Sequence, residues 1–190
     1  KGLAEADPKV ALEEFTKCED LRKELLAKAQ LRAGEKEKAE KTAKQAAEAA
    51  EGQALPWIGY VELLLEIGKR KEAEEAFRAA FSVKKGYDVA GNLGDVEMMN
   101  GKARDAAEHL SYALREFPAG GRTALRERLT RRLKEARALV GALRVQVNKD
   151  GAEVLVDGRS IGRAPVVDEV FVEPGQRVVE AKFEGYVTAR

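Results

Sequence analysis

A chain of 190 residues with a net charge of +1 is long enough for one or two domains with a real core, and as a whole it has no bias towards polyanions. Its one cysteine, Cys18, excludes an intramolecular disulfide, and no apolar run approaches the ~20 residues of a membrane-spanning helix. Charged residues at 35% against aromatics at 6%, rich in Ala, Glu, Lys and Arg, describe the surface of packed helices.

The chain begins at Lys1 rather than Met and reads as a mature or excised piece, so the lack of a visible signal peptide decides nothing about location. Asp7-Pro8 is a good helix start, a capping residue followed by Pro at the first helical position. Leu12, Phe15, Cys18, Leu21, Leu25 and Ala29 then recur every three or four residues, which predicts one amphipathic stripe with Cys18 as a packing residue on it. After Gly34 a second helix carries Ala39, Ala43, Ala46, Ala47 and Ala50 on one face and ends near Gly52. Its alanines pack closely but bury little area each, so this hairpin is expected to be the least stable of the series.

Leu55 to Ile67 is predicted as a helix that is apolar on most sides and so sits at the centre of the core. Lys69 to Phe81 is its partner, and Tyr87 to Asn100 with Lys102 to Phe117 form the next pair, closed by Pro118 and Gly120-Gly121. A beat runs through these helices. Gly34, Gly68 and Gly101 are 34 and 33 residues apart, and each is followed five residues later by an alanine: Ala39, Ala73 and Ala106. A constant period of that size signals stacked helical hairpins. The glycine supplies the left-handed turn between two helices, and the alanine lets them cross closely.

On these residues the chain resembles the tetratricopeptide repeat (TPR) family. One repeat supplies Trp57, Gly68, Ala73, Phe77 and Ala80; the next supplies Gly94, Gly101, Ala106, Leu110, Ala113 and Pro118. A degenerate first repeat keeps only Gly34, Ala39 and Ala46, with Lys23 in the Trp place. The implied array spans 8–120, with repeats near 20–53, 54–86 and 87–120.

Arg122 to Val140 is predicted as one more helix, with Leu125, Leu129, Leu133, Ala136 and Val140 as its stripe, occupying 121–141 as the capping helix such arrays need. Its Arg and Lys outnumber its two Glu by five charges. At Gly141 the apolar period changes to two. Leu143–Val147, Val154–Val156, Val170–Val172 and the stretch holding Val179, Ala181 and Phe183 read as strands; Asp157-Gly158 and Pro174-Gly175 read as turns. Val156-Asp157-Gly158, then Ile161-Gly162-Arg163-Ala164-Pro165, Pro174-Gly175 and Gly185-Tyr186 resemble a PEGA domain over 142–190. The resemblance implies a small antiparallel β-sandwich, cut short because such domains continue past Gly-Tyr. A region that small is marginal alone. It is expected to lean on the Arg122–Val140 helix or to leave an edge open for another chain. The fold class is therefore multidomain α + β, an all-α helical-hairpin array with a capping helix followed by a PEGA-like sandwich.

No catalytic set, metal-ligand set or nucleotide-binding loop is visible, and no cofactor is implied. His109 stands alone beside Glu108 and reads as structural. A binding surface is the better expectation. By resemblance the first helix of each repeat lines a concave groove. The second repeat then supplies Leu55, Ile58, Glu62, Leu65 and Glu66, and the third supplies Asp88, Gly91, Asn92, Asp95, Met98 and Met99, while Glu24, Lys28 and Arg32 come from the first. The partner-binding set is Ile58, Glu62, Glu66, Asn92, Asp95, Met98 and Met99: adaptable methionines with carboxylates suited to a Lys- or Arg-bearing protein segment. The plainer alternative makes Met98 core and the acids a solvated face. The family's clamp for C-terminal carboxylates is not implied, since only Asn92 sits suitably. Arg126, Arg128, Arg131 and Arg132 offer an alternative polyanion site on nucleic acid or a membrane surface, although no aromatic residue between Arg122 and Val140 could stack on bases. The reading is a non-enzymatic scaffold or adaptor. Resemblance places it in the bacterial cell envelope, with protein partners in the groove, and a surface polymer or another chain against the β-region.

Overall fold

A computed structural model describes residues 23, 25–49 and 55–189, with Leu55 by its backbone only. These residues form seven helices followed by five short strands. The helices are α1 (25–32), α2 (Lys36–Ala49), α3 (Leu55–Glu66), α4 (Arg70–Val83), α5 (Tyr87–Met99), α6 (Ala103–Arg115) and α7 (Thr123–Arg137). The strands are β1 (Gly141–Leu143), β2 (Glu153–Val156), β3 (Arg159–Arg163), β4 (Val170–Val172) and β5 (Val179–Lys182). The chain divides into two compact units, Lys1–Asn100 and Gly101–Arg190.

In the first unit the turn glycines do what the period demands. Gly34 and Gly68 have φ of +81° and +85°, and a Cβ at either would meet nothing within 4 Å. The requirement is therefore for backbone handedness, not for space. Both turns share one hydrogen-bond pattern. Gly34 N–H donates to Leu31 O and Glu35 N–H to Gln30 O, while Gly68 N–H donates to Leu65 O and Lys69 N–H to Leu64 O. That double bond pattern closes a helix by satisfying its last carbonyls.

The alanines that follow the glycines, Ala39 and Ala73, are fully buried. Around them lies one core in which Val61, Leu64, Val89 and Leu93 are sealed from solvent, with Trp57 half-buried against it. The first stripe needs correcting. Leu25 is 60% exposed and Ala29 is exposed, whereas Ala27 is buried and Leu31, one turn on, packs against the core. The inward face of α1 is thus rotated from the predicted one, because Ala27 and Leu31 are the pair that meets the alanine face of α2. Leu12, Phe15, Cys18, Leu21, Glu24, Ala50 and Gly52 lie outside the described residues.

In the second unit α6 and α7 pack together, with Ala106, Leu110, Ala113, Leu129 and Ala136 buried. The five strands make two sheets, one pairing β1 with β4 and one in the order β3-β2-β5, all antiparallel. Val154, Leu155 and Val156 are buried in succession because β2 is the central strand of its sheet. Asp157 (φ 50°) and Gly158 (φ 78°) form the predicted tight hairpin turn.

Two strand expectations change. The first strand lies at Gly141–Leu143 rather than Leu143–Val147. Gly141 faces Val172, and a Cβ there would lie 2.9 Å from a Val172 methyl, so the ladder starts where glycine permits close approach. Val145 and Val147 still point at the small core of Ala152, Val154 and Ala164, which is why their alternation is real although their backbone joins no strand. Strand β3 was missed. Its Arg-Ser-Ile-Gly-Arg sequence is mostly exposed, and only the hairpin partner β2 makes it a strand.

Candidate functional site

The expected groove residues fall on α3 and α5, both in the first unit. Glu62 and Glu66 are one turn apart on α3 and exposed. They border a cleft of about 60 Å³ together with Lys28 of α1, over a floor that includes Ala43 and Ala46 of α2. The short side chains of Ala43 and Ala46 leave this small space open where longer ones would fill it. Tyr60 closes one side of the cleft. Burial first, and then the nearby Glu40 carboxylate, push its phenol above the ordinary value of 10.0, so it stays protonated. Among the described residues neither Glu62 nor Glu66 has an ion pair or hydrogen bond from its side chain. The cleft thus presents two unneutralised carboxylates beside a cation, over an apolar floor.

Ile58 does not line that cleft; it is half-buried and packs against the core. On α5, Asn92, Asp95 and Met99 follow at intervals of three and four and share a face. Asn92, Asp95 and Met98 are half-buried, and Met99 is 46% exposed. The structure therefore brings Glu62, Glu66 and Lys28 together in one cleft and leaves the α5 residues on a separate helix face.

Sequence reasoning missed the polar feature between α4 and α5. Arg78 donates to Glu74 on its own helix at 3.0 Å and to Glu97 on α5 at 2.8 Å. Asn100 donates to the other Glu74 oxygen at 2.8 Å and to Arg70 O at 3.1 Å. Glu97 is 0% exposed and Glu74 3%. No sequence signal marks this set, since its members lie on two helices and up to 30 positions apart.

The alternative basic site lies on α7. Arg126 and Arg131 are exposed, while Arg128 and Arg132 are half-buried. Several of the helix's cations are engaged: Arg126 lies 6.0 Å over the Phe117 ring and Arg132 pairs with Glu135 at 2.7 Å. Arg137 pairs with Glu169 at 2.6 Å and lies over Phe171. Glu169 also receives Arg144, and the Arg137 and Arg144 bonds hold its carboxyl below the ordinary value of 4.5. With the Arg115–Asp168 pair at 2.6 Å, these contacts lean the β-region on α6 and on the last turn of α7.

His109 places a ring nitrogen 3.1 Å from Asp105 O, one turn back on α6, a local structural contact. Among the described residues no cluster of three or more His, Cys, Asp or Glu side chains could hold a metal ion, and no helix is long and apolar enough to cross a membrane.

The family profile of the PEGA domain matches residues 140–190. No curated protein matches the chain. Among solved structures the chain is similar to the type III secretion chaperone SycD of Yersinia enterocolitica in complex with a peptide of the translocator YopD. That match has 15% identity and a TM-score of 0.53, over 62% of this chain and 91% of that one. It is similar to PcrH of Pseudomonas aeruginosa in complex with the chaperone binding region of PopD, with 16% identity and a TM-score of 0.51, over 72% of this chain and 98% of that one. It is similar also to the second TPR domain of human RPAP3 in complex with an HSP70 peptide, with 16% identity and a TM-score of 0.51, over 64% of this chain and 98% of that one. At such identities the likeness concerns the fold alone, a TPR-like helical array; the region that follows it is the one that matches the PEGA domain.

Proposed function

We propose that this chain is a non-enzymatic adaptor that takes a basic, partly apolar protein segment into the groove formed by the first helices of its repeats. The observation that carries the reading is the cleft bordered by Glu62, Glu66 and Lys28, where two exposed carboxylates have no partner of their own. Carboxylates left unpaired beside an apolar floor favour a ligand that brings both a cation and a small apolar side chain. The peptide-bound state of the similar helical structures supports the reading as well. Asn92, Asp95, Met98 and Met99 would extend the contact along α5, with Ile58 beneath it. In this reading 8–120 is the binding array, 121–141 its cap, and 142–190 a second contact module.

The cellular setting that fits best is a bacterial cell-envelope assembly, a reading supported by the PEGA match over 140–190. Fractionation of cells expressing the full gene product tests it: recovery only in the cytosol would end it. The polyanion alternative through Arg126, Arg128, Arg131 and Arg132 has less behind it, since Arg126 and Arg132 already have local partners.

In-cell photo-crosslinking tests the groove. A probe at Met99 should give one dominant protein adduct, and Glu62→Lys should abolish it. Adducts that are diffuse, or indifferent to Glu62→Lys, would mean that the groove is not the working surface.

A further inference from the structure

The second unit holds a cleft of about 530 Å³ beside its sheets. Val170, Phe171 and Val172 of β4 border it on one side; Arg159, Ser160 and Ile161 of β3 border it on the other. Successive residues of a strand point to opposite faces. A cavity bordered by three in a row therefore meets the strand along its edge, not over one face. Both strands are edges. Among the described residues β4 pairs only with β1 and β3 only with β2, and no further backbone hydrogen bond leaves either. The slot thus runs past two rows of main-chain groups that have no protein partner.

The two edges are not equivalent. Exposed Arg159 and Arg163 guard β3, the kind of charge that keeps an edge from pairing. The Val-Phe-Val of β4 carries no charge of its own; Phe171 and Val172 are buried and α6 packs beside the strand, so its edge opens only into the slot. Much of the slot's rim is neutralised from within, Asp157 pairing with Arg177 at 3.0 Å, Asp168 with Arg115 at 2.6 Å, Glu169 with Arg137 and Arg144, and Arg104 with Glu108 at 3.5 Å, which leaves Arg159 and Glu173 as one further charge of each sign. A ligand gains little by bringing charge. What the slot offers is an unpaired backbone edge and apolar side chains, from Val156, Val166 and Val170.

We propose that this slot receives an extended, uncharged, β-branched segment of a partner polypeptide, which adds as a strand along β4. Main-chain bonds to the β4 edge supply the affinity, and alternate side chains of the segment fill the apolar lining. The site is separate from the α3 and α5 groove and does not rest on it.

The test is amide hydrogen exchange of the isotope-labelled full chain with two capped probe peptides, Thr-Val-Ile-Val-Thr and Thr-Val-Pro-Val-Thr. The first should slow exchange of β4 amides. The second lacks the central donor and should not. Ser160→Trp, which fills the slot from an exposed position, should abolish the effect of the first peptide while leaving the unfolding curve in place. No slowing with the first peptide, equal slowing with both, or full binding by Ser160→Trp would each overturn strand addition. Slowing that follows protein concentration without peptide, with a doubled mass in solution, would overturn the partner segment in favour of a second copy of this chain.

Discussion

Arg78 donates from α4 to Glu97 on α5 at 2.8 Å, and Glu97 has no exposed surface at all. The same guanidinium holds the almost buried Glu74, so one cation serves two carboxylates that cannot return to water without opening the helix pair. Removing the cation takes one charged bond from each carboxylate, while Asn100 still holds Glu74. Arg78→Met should cost about 2–3 kcal/mol in urea unfolding, less than a fully dry pair would lose, because the Arg78 side chain is 45% exposed. Glu97→Gln keeps an acceptor for Arg78 and should cost less, about 1 kcal/mol. Equal stability of Arg78→Met and the parent would show that the carboxylates are satisfied without it.

The turn between α3 and α4 gives a sharper test of what the period encodes. Gly68 has a positive φ and open space where its Cβ would be, so Gly68→Ala pays only for handedness and should cost about 1 kcal/mol. Gly120 also has open space but no positive φ, so Gly120→Ala should be neutral or slightly stabilising. If both substitutions behave alike in thermal unfolding, the backbone account of the repeat glycines is wrong.

These two cases mark what a single sequence makes legible. The glycine and alanine positions can be read because their demands are local: one backbone conformation, one close crossing. Arg78 and Glu97 are 19 positions apart on different helices, and nothing in either neighbourhood says that they meet. The same holds in the β-region. Asp157-Gly158 announces its turn, but the polar strand β3 exists only because β2 lies beside it. The face of α1 was misread for a related reason. Leu25 and Ala29 fit the period as well as Ala27 and Leu31 do, and only the alanine face of α2 decides between them. At the cleft beside Lys28, the neighbourhood of Glu62 and Glu66 on one helix face is visible in their spacing, whereas the floor beneath them comes from Ala43 and Ala46 of a different helix.

Glu169 joins the β-region to α7 through Arg137 and carries a pH signature. The Arg137 bond, and then the Arg144 bond, lower its folded pKa below the ordinary 4.5. The contribution is therefore fully present above that value, and it is lost as pH falls from there through the folded pKa. The parent should lose stability faster than Glu169→Gln over this acid window, with the two curves running parallel near neutrality. Parallel curves throughout, followed by urea unfolding at a series of pH values, would mean that the pair contributes nothing to holding the β-region.

Charge reversal in the groove separates binding from folding. Glu62 and Glu66 are exposed and have no side-chain partner, so Glu62→Lys and Glu66→Lys should each change stability by less than about 0.5 kcal/mol. Their effect on a basic ligand should be larger. A fluorescent peptide alternating Lys with Ala should bind the parent more weakly as salt rises, since screening acts on exposed charges. Each reversal should weaken that binding and flatten its salt dependence, and the double reversal should remove it. Glu75→Lys, an exposed change outside the cleft at a residue with no ion pair among the described residues, controls for net charge alone. If it weakens the peptide as much as Glu62→Lys does, the attraction belongs to the whole molecule and not to the cleft beside Lys28.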